Sequence, residues 1–165
     1  METMVKQQPA APALNAALIM PFVRSTLEVF TQMVKVSPQI VKPKLKEDSG
    51  ASYDVSGIIG FSGEIIGSVV VSFELEAARK LVSSLVGMDV DPSSADFVDA
   101  IGELANMIAG SAKKDLRKKA SIAVPTVIIG KNHMIGRLSG VPCVLIPCHT
   151  SVGDFAVEVN IKPTA

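Results

Sequence analysis

The chain has 165 residues and a formal net charge of zero, with 16 basic and 16 acidic side chains. Its length suits one domain, and a hydrophobic content of 48% argues against disorder over most of the chain. The charge balance disfavours nucleic-acid binding, and two cysteines argue against a disulfide framework. No uncharged apolar run suits a membrane span, and no basic cluster precedes an apolar export signal. We therefore expect a cytoplasmic protein that binds neither nucleic acid nor membrane.

The N-terminal part of the sequence divides into a polar segment and a helical one. Residues 1–13 are rich in proline and alanine and lack periodicity, so we expect a flexible tail followed by one domain over residues 14–165. A helical pattern runs from Leu14 to about Val36. Pro21 lies inside it, either as a kink or in the first turn of a shorter helix.

The rest of the chain alternates between β-like runs and helical patterns. This order predicts an α+β fold in which long helices pack on one face of a largely antiparallel sheet. The predicted elements are a hairpin over 53–61 and 65–73, a helix over 75–86 ending at Gly87, a long helix over 92–119 with Asp91 as its N-cap, and strands over 123–129, 142–149 and 154–161.

The long helix has an unusual polar face. At about 100° per residue, Glu103, Asn106 and Gly110 lie within about 40° of Asp99, with Gly102 about 60° to one side. Glycine costs about 1 kcal/mol relative to alanine inside a helix. The glycines therefore indicate either close approach by another molecule or, for Gly102, packing against a loop of this chain. The opposite, core-forming face consists of Phe97, Ile101, Leu104, Ala105, Ile108 and Ala112.

The chemistry of this face suits positioning rather than covalent catalysis. Two oxygen ligands do not make a closed metal site, and no Ser, Cys or His lies within a turn on this face to form a nucleophile–base pair. The amide of Asn106 can orient a water molecule, and the carboxylate of Glu103 can pair with a cation on a partner. This combination suits attack of water on a phosphoryl group held elsewhere. Each residue taken alone also fits an ordinary solvent-exposed helix face.

The segment 99–110 resembles the motif of the CheC/CheX/FliY chemotaxis phosphatases. That motif is Asp or Ser, three residues, Glu, two residues, Asn, and a Pro further along the chain. Asp99, Glu103 and Asn106 fit this register, and Pro125 is the candidate proline, at an interval slightly shorter than is usual for the family. The element order extends the resemblance over most of the chain.

The sequence carries one copy of this motif, whereas CheC-like members carry two. The first helix contains Glu28, but Thr31 stands where the second motif would need Asn. A single copy resembles the CheX branch of the family. The resemblance implies the CheC/CheX-like fold and often a homodimer formed through the sheets, which leaves the long helix outward.

The resemblance further implies a phosphatase that removes the aspartyl phosphate from a CheY-like response regulator in two-component signalling. Asn106 would orient the attacking water, and Glu103 would dock to the regulator's active-site lysine. Asp99, Gly102 and Gly110 would belong to the partner-binding surface. Mg²⁺ is expected in the receiver domain of the partner, so this chain would need no cofactor of its own.

A run of basic residues ends the long helix: Lys113, Lys114, Arg117, Lys118 and Lys119. It fits complementation of the helix dipole and a solvated helix end. It also fits electrostatic steering toward the acidic pocket of a receiver domain. Arg117 continues the polar face of the helix, so we include it among the partner-binding residues.

Two alternatives to hydrolysis remain open at this point. The same helix could belong to a non-catalytic module that binds a receiver domain or a flagellar switch component. The chain could instead be a structural dimerisation domain in which this face is merely solvated. Cys143 and Cys148 are five residues apart in one strand and are expected on opposite faces of the sheet, so neither a disulfide nor a shared metal site is predicted.

Overall fold

In the computed structural model, which describes residues 15–164, three α-helices pack against one face of an eight-stranded sheet. Every strand pairing in this sheet is antiparallel. The predicted α+β architecture is therefore confirmed. The expected flexible tail over residues 1–13 lies outside the described residues, so the division of the chain into a tail and one domain stays a prediction.

The helices are α1 (Ala16–Val29), which continues as a π-helical turn (Phe30–Val34), α2 (Leu75–Val86) and α3 (Ala95–Asp115). The strands are β1 (Gln39–Ile40), β2 (Lys44–Lys46), β3 (Val55–Gly63), β4 (Ile65–Phe73), β5 (Ala120–Ile122), β6 (Thr126–Ile129), β7 (Cys143–Thr150) and β8 (Gly153–Pro163). The strand order is β1-β7-β8-β4-β3-β5, while β2 also pairs with β7 and β6 also pairs with β3.

The helix-covered face of the sheet carries the hydrophobic core. On β8, alternate residues from Phe155 to Ile161 point into this core, as the period of a β-strand requires. The ring of Phe155 stacks on that of Phe30, with centroids 4.2 Å apart, and lies 5.5 Å from that of Phe73. Full burial of a side chain of this size contributes roughly 1.5–3 kcal/mol. This aromatic cluster therefore anchors the end of α1 to the centre of the sheet.

The opposite face of the sheet is covered by loops and carries buried polar groups. Glu158 is 1% exposed and accepts hydrogen bonds from Arg137 Nη2 at 2.7 Å and from Ser52 Oγ at 2.5 Å. Asn160 Oδ1 accepts from the main-chain N of Leu138 at 2.7 Å, and its Nδ2 donates to two main-chain carbonyls of the same loop. These bonds satisfy buried polar groups and hold the loop before β7 against the sheet.

Helix α3 begins later than its sequence predicts. Its N-cap is Ser94, whose Oγ accepts a hydrogen bond from the main-chain N of Phe97 at 3.2 Å. Asp91 instead accepts bonds from the N and Oγ of Ser93, both at 2.8 Å, within the preceding turn. The prediction of Asp91 as the N-cap was therefore wrong, because its carboxylate is already engaged by this turn.

Helix α3 also ends earlier than predicted. Its last residue is Asp115, and Arg117 adopts a left-handed conformation with φ of 53° that turns the chain toward β5. The predicted end at Lys119 was wrong because pairing of β5 with β3 competes with further helix. Arg117 consequently lies beyond the helix and does not continue its polar face, which corrects the reason for including it among the partner-binding residues.

Of the predicted strand over 123–129, only Thr126–Ile129 is a strand (β6), and residues 123–125 form a bulge between β5 and β6. Phe61 of β3 pairs with Ile122, and Ile58 of β3 pairs with Thr126. Three residues, 123–125, therefore face only two residues of β3, which is the signature of a β-bulge. Because Pro125 has no N–H to donate, it cannot extend the ladder at this point. The bulge directs this segment toward α3.

Helix α3 lies close to the sheet because β3 carries a glycine beneath it. A Cβ added to Gly57 would lie 3.0 Å from Ala105 Cβ and 3.3 Å from the carbonyl oxygen of Ile101. From the side, Ser25 Oγ of α1 donates a 2.6 Å hydrogen bond to the carbonyl oxygen of Ile108. The predicted core face is buried throughout, at Phe97, Ile101, Leu104, Ala105, Ile108 and Ala112.

Candidate functional site

The polar face of α3 is turned away from the sheet, as predicted. Asp99 and Glu103 are exposed, and Asn106 and Gly110 are half-buried. Neighbouring turns of a helix place such side chains about 5–6 Å apart, so a single partner group can contact adjacent members. Neither carboxylate belongs to any ion pair formed within residues 15–164. The three polar side chains therefore present an accessible amide flanked on one side by negative charge.

Asn106 borders a groove between α1 and α3. The groove has a volume of about 380 Å³. Its α3 wall includes Asn106, Gly110 and Lys114, and its opposite wall includes Glu28 of α1 and Met33 of the π-helical turn. Met33 is 51% exposed, so the groove offers apolar surface beside the amide. A partner that docks on α3 can therefore reach the amide and contact α1 at the same time.

Gly102 packs inside the chain rather than on the exposed face. It is buried, and a Cβ added to it would lie 3.4 Å from Pro125 Cβ and 3.6 Å from Val127 Cγ2. Of the two interpretations left open for this glycine, packing against a loop of the same chain is the one the structure shows. This corrects the expectation that Gly102 contacts a partner directly.

The bulge reaches the polar face of α3 through this contact. Pro125 lies over Gly102, the residue that precedes Glu103, so the candidate motif proline is adjacent to the site. Val124 beside it is 87% exposed, although it is a large apolar residue. The sequence pattern does not single out Val124, because in the predicted strand over 123–129 it is an ordinary apolar strand residue. In the structure Val124 belongs to the bulge, next to the proline that contacts Gly102.

Replacing Gly102 with leucine should destabilise the fold by about 1–3 kcal/mol, because the side chain must displace Pro125. Gly110→Leu is the matched control, since the nearest heavy atom to a Cβ there is Ile122 Cδ1 at 4.0 Å. Chemical denaturation of both variants measures the difference in the free energy of unfolding. Equal free energies of unfolding for the two variants would show that the packed position of Pro125 does not require a glycine at position 102.

The two cysteines lie on opposite faces of the sheet, as predicted. Cys148 belongs to the helix-side core, whereas Cys143 is buried on the loop-covered side near Arg137. Burial raises the pKa of Cys143 to about 11 and that of Cys148 to about 12, so both thiols stay protonated near neutral pH.

Among residues 15–164, no group of three or more His, Cys, Asp or Glu is arranged to hold a metal ion. Over the same range, no helix has the length and apolar character needed to cross a membrane.

Comparison with known proteins identifies the family of this chain. The family model described as chemotaxis phosphatase CheX matches residues 55–149, which is more than half of the chain and includes all of α3. The chain belongs to the CheX family. The resemblance of the single motif copy to the CheX branch is thereby confirmed.

Individual CheX proteins match along nearly their whole length. The CheY-P phosphatase CheX of Thermotoga maritima is 29% identical over 153 residues, covering 90% of this chain and 98% of that protein. The crystal structure of a chemotaxis protein CheX from Desulfovibrio desulfuricans has 32% identity and a TM-score of 0.80, covering 89% of this chain and 99% of that one. The CheX–CheY–BeF3–Mg²⁺ complex from Borrelia burgdorferi matches with 26% identity and a TM-score of 0.73, covering 88% and 97%.

Proposed function

We propose that this chain removes the aspartyl phosphate of a CheY-like response regulator, with Asn106 and Glu103 as its functional side chains. The observation that carries the proposal is the accessible pair of Glu103 and Asn106 on one face of α3, in a chain of the CheX family. The Thermotoga relative is named a CheY-P phosphatase, and the Borrelia structure is a complex of CheX with CheY. Both support a phosphorylated regulator as the substrate.

In the proposed mechanism this chain supplies an amide to a reaction centre held by the regulator. Water attacks phosphorus in line with the aspartyl oxygen, the bond from phosphorus to that oxygen breaks, and inorganic phosphate and the aspartate carboxylate are released. The side-chain oxygen of Asn106 accepts a hydrogen bond from the water. This bond orients the water so that a lone pair on the water oxygen points at phosphorus. Mg²⁺ in the receiver domain would stabilise the developing charge, in keeping with the Mg²⁺ of the Borrelia complex.

The carboxylates are assigned to docking rather than to bond breaking. Glu103 lies one turn from Asn106, so a cation paired with it would stand beside the reaction centre. Asp99 lies one further turn away and extends the negative surface. We also retain the prediction of a homodimer joined through the sheets, since that arrangement would leave α3 free for the regulator.

The direct test uses a CheY-like receiver loaded with acetyl phosphate and Mg²⁺. Loss of the phosphoryl group is followed with and without this chain. We expect dephosphorylation to accelerate in proportion to the concentration of added chain. No acceleration across several receivers that bind the chain would overturn the phosphatase assignment and favour a non-catalytic binding module.

Replacing Glu103 with glutamine should weaken binding of the regulator by about fivefold, equivalent to about 1 kcal/mol, because an exposed ion pair is lost. The salt dependence of binding should also decrease, since one screened attraction disappears. Titration of a BeF3-loaded, Mg²⁺-bound receiver at two ionic strengths measures both effects. Glu76→Gln on exposed α2 is the matched control, and an affinity of Glu103→Gln equal to that of this control would contradict the docking role.

A further inference from the structure

We propose that the basic segment formed by the last turn of α3 and the residues just after it is the second half of the docking surface and contacts an acidic surface of the regulator, thereby setting its orientation over Asn106. The residues concerned, here called the basic patch, are Lys113, Lys114, Arg117, Lys118 and Lys119. This inference rests on the proposed function, because it takes the phosphorylated regulator as the partner.

The charges on the exposed face of α3 change sign along the helix. Asp99 and Glu103 stand at one end, the neutral Asn106 and Gly110 lie in the middle, and Lys113 continues the same face at the other end. From Asp99 to Lys113 the rise is about 21 Å, at roughly 1.5 Å per residue. The face is therefore a row of negative, neutral and positive groups with the functional amide near its centre.

The basic patch surrounds a depression that is continuous with the groove beside Asn106. The depression has a volume of about 610 Å³, and its floor includes Ile122. Gly110 and Lys114 line both the depression and the groove. A partner seated over Asn106 therefore reaches the first lysines of the basic patch without leaving the same surface.

The cations of the basic patch have no acidic partners within residues 15–164. Of the nearby acids, Asp115 pairs with Arg24 at 3.7 Å. Glu64 lines the depression and accepts a hydrogen bond from the main-chain N of Lys119, so its carboxylate offsets one of the five positive charges. None of the five cations belongs to an ion pair of the described residues. Glu28, on the far wall of the groove, is the remaining acid that faces this region. The basic patch thus keeps an excess of positive charge that an anionic surface would neutralise.

The mixed charge of the face favours an acidic protein surface over nucleic acid. A long polyanion laid along α3 would meet Asp99 and Glu103 as well as the basic patch, and like charges repel. No aromatic residue lies within 113–119 to stack on bases. A receiver domain fits because its phosphoryl and carboxylate groups face the amide and the basic patch, while its active-site lysine faces Glu103. Opposite charges at the two ends of the face disfavour the reversed docking orientation.

The experiment measures association of a BeF3-loaded, Mg²⁺-bound receiver with the Lys113→Glu/Lys114→Glu variant. We expect association at low salt to be about tenfold slower than for the native chain, with a smaller dependence on ionic strength. Dephosphorylation at subsaturating regulator should fall in parallel with the rate of association, because fewer productive complexes form per unit time. Lys80→Glu on exposed α2 is the matched control.

The outcomes separate this inference from the proposed function. If the double variant associates as fast as Lys80→Glu while the native chain still dephosphorylates the regulator, the docking role of the basic patch is overturned and the phosphatase assignment stands. If the double variant associates more slowly but the native chain hydrolyses nothing, the docking role is supported and the phosphatase assignment is overturned. Binding of a short DNA duplex that depends on Lys113 and Lys114, without any effect on the regulator, would also overturn the inference. Lys113→Gln/Lys114→Gln should give an intermediate rate, which distinguishes loss of charge from misfolding.

Discussion

Replacing Asn106 with alanine is expected to lower the acceleration of regulator dephosphorylation by at least about 100-fold, by analogy with loss of one preorganised polar group in other enzymes. The amide is the functional group placed to orient water, and alanine removes both its oxygen and its nitrogen. Asn106 is half-buried on the exposed side of α3, and alanine is the better helix former. The fold and the affinity for the regulator should therefore be preserved.

Single-turnover decay of phosphorylated regulator, with excess Asn106→Ala chain, measures this effect apart from binding. Gln32→Ala is the control, because Gln32 presents the same amide group on the opposite wall of the groove. We expect the control to retain nearly native activity. If Asn106→Ala also retained native activity, Asn106 would not position the water. If both variants bound the regulator but the native chain accelerated nothing, the face would serve docking alone.

Replacing Arg137 with methionine is expected to destabilise the fold by about 3–5 kcal/mol, because it leaves Glu158 without its buried cation. The two side chains are 13% and 1% exposed, so water compensates little for the lost partner. Ser52 would remain as a hydrogen-bond donor to the carboxylate, but without a positive charge. Chemical denaturation of the native chain and the variant measures the change.

Arg24 provides a matched control for this prediction. Its ion pair with Asp115 is 3.7 Å long, and both side chains are more than half exposed. Arg24→Met should therefore cost less than about 1 kcal/mol. The double variant Arg137→Met/Glu158→Met should recover most of the lost stability, because no uncompensated charge then remains buried. A cost for Arg137→Met no larger than that for Arg24→Met would show that Glu158 is solvated in solution.

The elements with strong local signals were predicted well. Helix α2 and strand β4 have the predicted limits, and Gly87 ends α2 with φ of 85°. The errors occur where several local signals compete. Both Asp91 and Ser94 can cap a helix, and only the hydrogen bonds of the preceding turn select Ser94. Similarly, the pairing of β5 with β3 ends α3 before its basic run is complete.

The polar outer face of the sheet was not predicted from the sequence. Glu158 and Asn160 occupy alternate positions of β8 and would suit a solvated face. The structure buries both, because the loop before β7 folds over them and supplies Arg137. Contacts between residues so far apart along the chain cannot be inferred from local periodicity.

The sequence by itself determined the polar face of α3, because helical geometry places Asp99, Glu103 and Asn106 together wherever the helix packs. Periodicity likewise determined which side of α3 enters the core. Only the tertiary structure decided what surrounds that face. It buried Gly102 beneath Pro125, placed the groove with α1 beside the amide, and removed Arg117 from the helix. These features depend on a β-bulge and on helix packing, both of which arise from contacts between distant segments rather than from local preference.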